Sequence, residues 1–449
     1  MNRFKIDIWL IIAVLGLSVI GIFFIYSTGQ TALASDNAPL VNNLFSESGR
    51  SFLKQSFFII IATILLIIFA LFSYRKLGQH IYIFYFFGLV ILLLTALFGR
   101  EVNGARSWIG VGPFGVQPSE FMKLIVIFTL AKYVELRGRD FKDLRDLLVP
   151  FAIVGAPVLL IIIQPDLGTS LIFLPILFSI LLVGGAKLEH IFYIFLIGAV
   201  AVTIPMFITY YTLSEIVDYH GVMRHVVQFL QQKHIIVLYG LYLFLAGVAV
   251  YIIHYFFKLR AARFISYTFF SLTAGLGLSL ILQIVLKEYQ KRRLLVFLDP
   301  ELDPFDSGYQ IIQSVIAIGS GGLTGYGFLK GPQNRLGFLP EESNDFIFSV
   351  ICEELGFFGG IMVLILFGVL IFRGLRITMV ARDLFGSLVA VGFTSTILFH
   401  VLVNIGVTLG IMPLTGVPLV FISTGGSSLL VNYIGIGILL NIYANRYYN

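Results

Sequence analysis

Apolar runs of about twenty residues, separated by short polar stretches, recur along the whole chain. Twelve are read as candidate helices: 6–26, 53–73, 80–99, 119–134, 147–163, 168–185, 189–211, 234–257, 264–286, 345–372, 384–411 and 427–444. About 20 apolar residues in a helix span a hydrocarbon core. Backbone groups placed there must be bonded within their own segment. The pattern therefore predicts an all-α, polytopic transmembrane helical bundle, with 1–449 as a single integral membrane domain. The first run follows Arg3 and Lys5, and the TALAS string after it resembles a cleavage site ending at Ala34. The run is longer than a usual signal core, so an uncleaved first helix is expected.

The connections alternate in charge. Arg3, Lys5, Arg75, Lys76, the run from Lys132 to Arg145, Lys187, Lys258, Arg260, Arg263, Arg373, Arg376, Arg382 and Arg446 fall on one side. Cytoplasmic loops collect Lys and Arg, so this side reads as cytoplasmic, with both termini on it. The opposite side carries 27–52, 100–118, 164–167, 212–233, 287–344 and 412–426. The stretch 287–344 is then a large extracytoplasmic loop rich in charge, Gly and Pro. It is the expected active site.

Composition agrees with the pattern. Of the 449 residues, 58% are hydrophobic and 12% charged, about half the charged share of a soluble domain. The single cysteine, Cys352, excludes an intrachain disulfide and a multi-cysteine metal site. The net charge of +6 reflects cytoplasmic cations and gives no reason to expect nucleic acid. No internal repeat is apparent, which weighs against many secondary transporters.

Several strings carry candidate chemistry. In LDPELDPFDSGY, Asp299, Glu301, Asp303 and Asp306 lie close together, and Pro300 and Pro304 forbid a regular helix. Such acids either bond their own turn or, crowded near lipid, hold protons tightly enough to serve as a general base. KEYQKRR places four cations beside the bilayer on the disfavoured side, which suits an anionic lipid headgroup, with Arg292 and Arg293 as candidate ligands. The Gly-rich GSGGLTGYG offers N–H groups to a phosphate, but no P-loop or dinucleotide fingerprint is present.

In QPSEFMK, Ser119 and Glu120 read as cap and first-turn residues. Glu120 and Lys123 share a helical face. A cation inside the membrane is either half of a structural ion pair or a functional group. Asp166 in QPDLGTS and Asp345 before the 345–372 run are helix caps or site residues. Glu341 and Asp345 in FLPEESNDF are candidate substrate ligands. His400 and Asn404 share a face, as a packing pair or as part of a site. Ser51 to Lys54 fits SxxK, but no KTG accompanies it, and neither HExxH nor a nucleophile elbow occurs.

Together the strings NGARSWI…QPSE, QPDLGTS, LDPELDPFDSGYQIIQS…IGSGG, FLPEESNDFIFSVICEELG and HVLVNIGVTLGIMPLTGVPLVFISTGGSS resemble, in order and over nearly the whole chain, the SEDS family of membrane glycosyltransferases. That family comprises RodA, FtsW and SpoVE. The resemblance implies a peptidoglycan glycosyltransferase polymerising lipid II into β-1,4-linked strands, with inversion, at the outer face of the cytoplasmic (inner) membrane. The wording of IIQSVIAIGSGG is closer to the elongation branch, concerned with cell shape, than to the division branch. An FtsW-like division polymerase is the alternative within the family, and a lipid-linked precursor flippase, lined by Lys123, Asp166, Glu353 and His400, is the alternative outside it.

The resemblance selects Asp303 as the catalytic base, and Arg106, Lys123 and Asp166 match its other functional polar positions. Arg106 and Lys123, with Arg292 or Arg293, are the candidates for diphosphate binding. Implied partners are lipid II, undecaprenyl-diphosphate-linked glycan, a class B penicillin-binding transpeptidase and other elongation-complex membrane proteins. No dedicated metal site is visible, although a divalent cation (Mg or Mn) would suit a diphosphate. Departures from the pattern are SNDF for the usual HTDF, STGGSS for SYGGSS, and twelve spans for the usual ten. The extra pair is expected as a two-helix insertion at 234–286.

Overall fold

The computed structural model describes residues 6–28, 47–102, 104–110, 115–138, 141, 143–213, 232–286, 288–339 and 342–447. Ala34, the end of the cleavage-like string, lies outside them. By contact the chain falls into two compact units, Met1–Ala186 with Gln310–Asn449, and Lys187–Tyr309.

Every predicted run is a helix. The first unit opens with α1 (Ile8–Thr28), α2 (Glu47–Leu71), the short α3 (Tyr74–Gln79) and α4 (Ile81–Phe98). An antiparallel hairpin of β1 (Arg100–Val102) and β2 (Ala105–Trp108) follows, then α5 (Pro118–Arg137), α6 (Leu148–Ile163) and α7 (Leu167–Val183). The second unit holds α8 (Leu188–Leu213), α9 (Lys233–Phe257), α10 (Arg260–Val285) and α11 (Glu288–Leu295). Helix α12 (Ser307–Ser320) starts there and runs on into the first unit. The first unit then adds α13 (Pro332–Arg335), α14 (Ile347–Val380), α15 (Leu384–Thr408) and α16 (Gly426–Ala444).

Ten of these helices are long and apolar enough to cross a membrane. The two other predicted spans are α5, which carries Glu120, Lys123, Lys132, Glu135 and Arg137, and α7, which is 17 residues long. Helices α15 and α16 form the core of the first unit, with 78% of their most apolar stretch buried, against 17% for α4. Helix α1 packs on α14 and α2, with Leu10, Val14 and Leu17 fully enclosed, so it is an integral part of the bundle. In the second unit α10 packs between α8 and α9, and α11 lies against α8.

Polar contacts in the first unit gather at two ends. At one, Asp7 pairs with Arg373, Arg75 and Tyr74 meet Asp383, and Asn441 bonds the backbone of Tyr74 and Ala70. At the other, Gln117 bonds Asp166 and Ser427, Asn334 reaches Ser27, and Thr424 bonds Ser343.

The stretch 287–344 is more ordered than a loop. KEYQKRR mostly forms α11, and SGYQIIQSVIAIGS forms the amphipathic α12. The Gly-rich string also departs from expectation. Helix α14 is broken at Gly356 (φ 66°), and the string pairs with the break. Tyr326 N and Gly327 N donate to the carbonyls of Glu353 and Glu354, and Phe357 N and Phe358 N donate to those of Gly322 and Leu323. Gly325 has φ 76°, and a Cβ there would stand 2.1 Å from Glu354 O. The N–H groups of Tyr326 and Gly327 are thereby committed to the backbone of α14.

Candidate active site

The site begins with a helix that starts inside a polar end. Pro118 occupies the first position of α5, where its missing N–H costs nothing, and Gln117 is the cap residue. Ser119, expected as a cap, is instead buried, and its Oγ finds no partner among the described residues. Glu120 and Lys123 then face inward one turn apart. They are 4% and 2% exposed, with Nζ 2.8 Å from Glu120 Oε1. A buried cation needs such a partner. Glu120 Oε2 has none among the described residues, so the pair retains capacity to accept a hydrogen bond. Spacing alone gives Glu120 as a first-turn acid that shares a face with Lys123. Its burial makes it a full member of the site.

Asp166 and His400 join this cluster. Asp166 caps α7 through Thr169 N (3.1 Å), and its Oδ2 accepts from Thr169 Oγ1 and Gln117 Nε2, both at 2.8 Å. Capping and site membership are therefore compatible. Burial raises its carboxyl above the usual carboxylate range, against the lowering effect of the Thr169 bonds. His400, fully buried on α15, places Nε2 3.5 Å from Lys123 Nζ and Nδ1 2.9 Å from Pro418 O. Asn404, one turn further on, donates to the carbonyls of Val417 and Asp345.

Other predicted residues stand elsewhere. Arg106 is on β2, exposed, and 3.5 Å from Glu101 across the hairpin. Asp345 lies in the turn before α14 rather than at its cap, which is Phe346. Glu341 lies outside the described residues. Its neighbour Glu342 has a carboxyl pushed up to about 8 by burial and by Glu353 and Glu354. Those two acids, fully buried, clasp the chain after the Gly-rich string. Glu353 accepts from Gln333 N and Asn334 N, and Glu354 from Leu329 N and Asn334 Nδ2. They are thus bound up in holding a loop, a poor fit to a flippase path.

The acidic turn belongs to the second unit. Asp299 caps the 3-10 turn Pro300–Leu302 by accepting from Glu301 N. Asp303 follows that turn, and its Oδ2 accepts from Ser307 N at 3.3 Å, at the start of α12. Gly308 N donates to Asp303 O at 3.0 Å. A Cβ on Gly308 would stand 2.1 Å from Pro300 O and 2.5 Å from Asp303 O, so glycine is required for this approach. Glu301 and Asp306 are exposed, whereas Asp299 and Asp303 are half-buried. Helix α11, with Arg292 and Arg293 in its last turn, leads directly into the turn and packs against it. Among the described residues no three His, Cys, Asp or Glu side chains gather to hold a metal.

The family described as a cell cycle protein, FtsW/RodA/SpoVE, matches residues 8–234 and 229–448. The chain belongs to the FtsW/RodA/SpoVE family. The peptidoglycan glycosyltransferase RodA of Treponema pallidum is 37% identical over 447 residues, 98% of either chain. Stage V sporulation protein E of Bacillus subtilis is 33% identical, covering 97% of this chain and 96% of its own. The peptidoglycan glycosyltransferase MrdB of Escherichia coli is 34% identical over 81% of this chain and 78% of its own. Among solved structures, a chain of a peptidoglycan synthase complex that coordinates polymerization and crosslinking superposes with TM-score 0.65 at 27% identity, covering 99% of both chains. The rod shape determining protein RodA of Thermus thermophilus gives 0.59 at 24% identity over the full length of both chains, a likeness of fold. This FtsW/RodA/SpoVE member is accordingly a multi-pass membrane protein.

Proposed function

We infer that the chain is a peptidoglycan glycosyltransferase, and we propose that it polymerises lipid II during cell elongation with Asp303 as general base. The carrying observation is the Asp303 carboxylate. Oδ2 is tethered to the N-terminal turn of α12, while Oδ1 has no hydrogen bond from the described residues. A base held by one oxygen and open at the other is positioned to receive a proton.

The acceptor sugar hydroxyl attacks C1 of the donor sugar, and its proton passes to Asp303. The C1–O bond to the diphosphate breaks, and the lipid diphosphate leaves with the bonding pair. An α-linked donor attacked directly yields a β-1,4 strand. Such a leaving group needs compensating positive charge rather than a proton, so one carboxylate suffices, unlike the two of hydrolytic glycosidases. Arg292 and Arg293 beside the acidic turn, with Arg106 and Lys123 in the first unit, supply cations for lipid-linked diphosphates. The charge pattern supports an outer-face site on the cytoplasmic membrane, with both termini inside. A class B penicillin-binding transpeptidase is the proposed partner, consistent with the complex to which the similar solved chain belongs.

The test is addition of labelled lipid II to the purified chain in liposomes. Glycan strands are expected. Transfer of lipid across the bilayer without polymer would replace the enzyme with a transporter.

A further inference from the structure

We propose that His400 is a positioning residue, whose Nε2 aims the ammonium of Lys123 because the Pro418 carbonyl locks the tautomer of the ring. The proposal rests on Lys123 being a diphosphate-binding cation. Its first premise is geometric. A carbonyl oxygen only accepts, so the 2.9 Å contact between Nδ1 and Pro418 O places a proton on Nδ1. An imidazolium would set a second cation against Lys123 in a fully enclosed space, with Glu120 the only carboxylate among the described residues bonded to the ammonium. The ring is therefore neutral, and the Nε2 lone pair faces Lys123 Nζ at 3.5 Å.

The second premise is what one acceptor leaves undone. Lys123 carries three donors on a flexible stem. Glu120 takes one from the same helix, one turn away, and a single contact lets the ammonium swivel about its last bonds. His400 engages a second donor from a different helix, α15. Two acceptors and the stem together fix the direction of the third N–H, which has no partner among the described residues.

The third premise is the anchor. His400 and Asn404 peg the consecutive carbonyls of Pro418 and Val417, and Asn404 also bonds Asp345 O. The segment between α15 and α16 is thus held in register with the ring that aims Lys123. A residue serving only to fill space between helices would not require an acceptor at Nε2. This distinction makes the proposal testable.

The measurement is binding of undecaprenyl diphosphate by the full-length protein in detergent, for four variants. Lys123→Met removes the cation. His400→Leu removes both polar contacts. His400→Asn keeps a donor near Nδ1 but has no acceptor at the Nε2 position. His400→Gln keeps an acceptor that reaches Lys123. Lys123→Met, His400→Leu and His400→Asn are expected to weaken binding about tenfold, the worth of one modest hydrogen bond to a charged group. His400→Gln should stay within about twofold, and His400→Asn covers the case in which the leucine variant misfolds. Loss in Lys123→Met with none in His400→Asn overturns the inference alone. His400→Gln as weak as His400→Asn also overturns it, because the ring and not the acceptor would then matter. No loss in Lys123→Met removes Lys123 from diphosphate binding and takes the inference with it.

Discussion

Substituting alanine for Gly325 tests how the Gly-rich string and α14 hold each other. A Cβ at 325 would stand 2.1 Å from Glu354 O, a backbone atom that cannot turn aside, and φ is 76°. Gly322 is the control. It also has positive φ (55°), but a Cβ there meets nothing within 4 Å. Gly322→Ala therefore carries only the left-handed backbone cost of about 1–2 kcal/mol, less what the stiffer unfolded chain returns. Gly325→Ala carries that and displaces the string from the helix break. The four backbone bonds at Tyr326, Gly327, Phe357 and Phe358 are worth about 1 kcal/mol each, hence about 4 kcal/mol together. Thermal unfolding of the detergent-purified variants reads the stability gap, and amide hydrogen exchange at those four residues reads its location. Gly325→Ala should lose protection at all four amides, with Gly322→Ala close to the parent. Equal stability and equal exchange in the two variants would refute the reasoning.

Gly308→Ala should lower kcat about 10²-fold by shifting Asp303, since displacements near 1 Å cost that much. Steady-state polymerisation kinetics measure it, with substrate affinity nearly unchanged. Glu342 sets a pH dependence. Its carboxyl titrates near 8 in the folded protein and in the ordinary carboxylate range when unfolded, so between these values the folded state holds a proton that the unfolded chain has released. Stability attributable to Glu342 therefore falls as pH rises across that window and levels off above it. Glu342→Gln should flatten this slope in unfolding temperatures measured between about pH 5 and 9, and an unchanged slope would exclude Glu342 as its source.

The helices were legible because the bilayer imposes one length and one chemistry on each crossing. Residues that the Lys and Arg pattern assigns to one side lie together, since the contacts of Asp7, Arg75, Arg373 and Asp383 fall at one end of the first unit. The Glu120–Lys123 pair and the shared face of His400 and Asn404 followed from helical periodicity. Periodicity did not reveal that Pro418, Gln117 and Asp166 complete the cluster, because those contacts join residues far apart in sequence. The break at Gly356 was hidden inside a continuous apolar run, and its partner lies about thirty residues earlier, in a string whose composition suggested phosphate binding. Among the four acids of the turn, local sequence could not choose. Burial sets Asp299 and Asp303, both half-buried, apart from the exposed Glu301 and Asp306. Two departures from the family pattern, Ser343 and Thr424, touch each other through the Thr424 N–H and hydroxyl on Ser343 O, so the two changes fall at one contact.

The central claim is that Asp303 removes the proton from the attacking hydroxyl. The most direct measurement compares the purified parent with Asp303→Asn for lipid II binding and for glycan strand formation under the same conditions. Asparagine keeps the size of the side chain and an oxygen for Ser307 N, but it is no base. The account predicts retained binding, an unaltered fold and no polymer. Polymer formed by Asp303→Asn at the parent rate would contradict it.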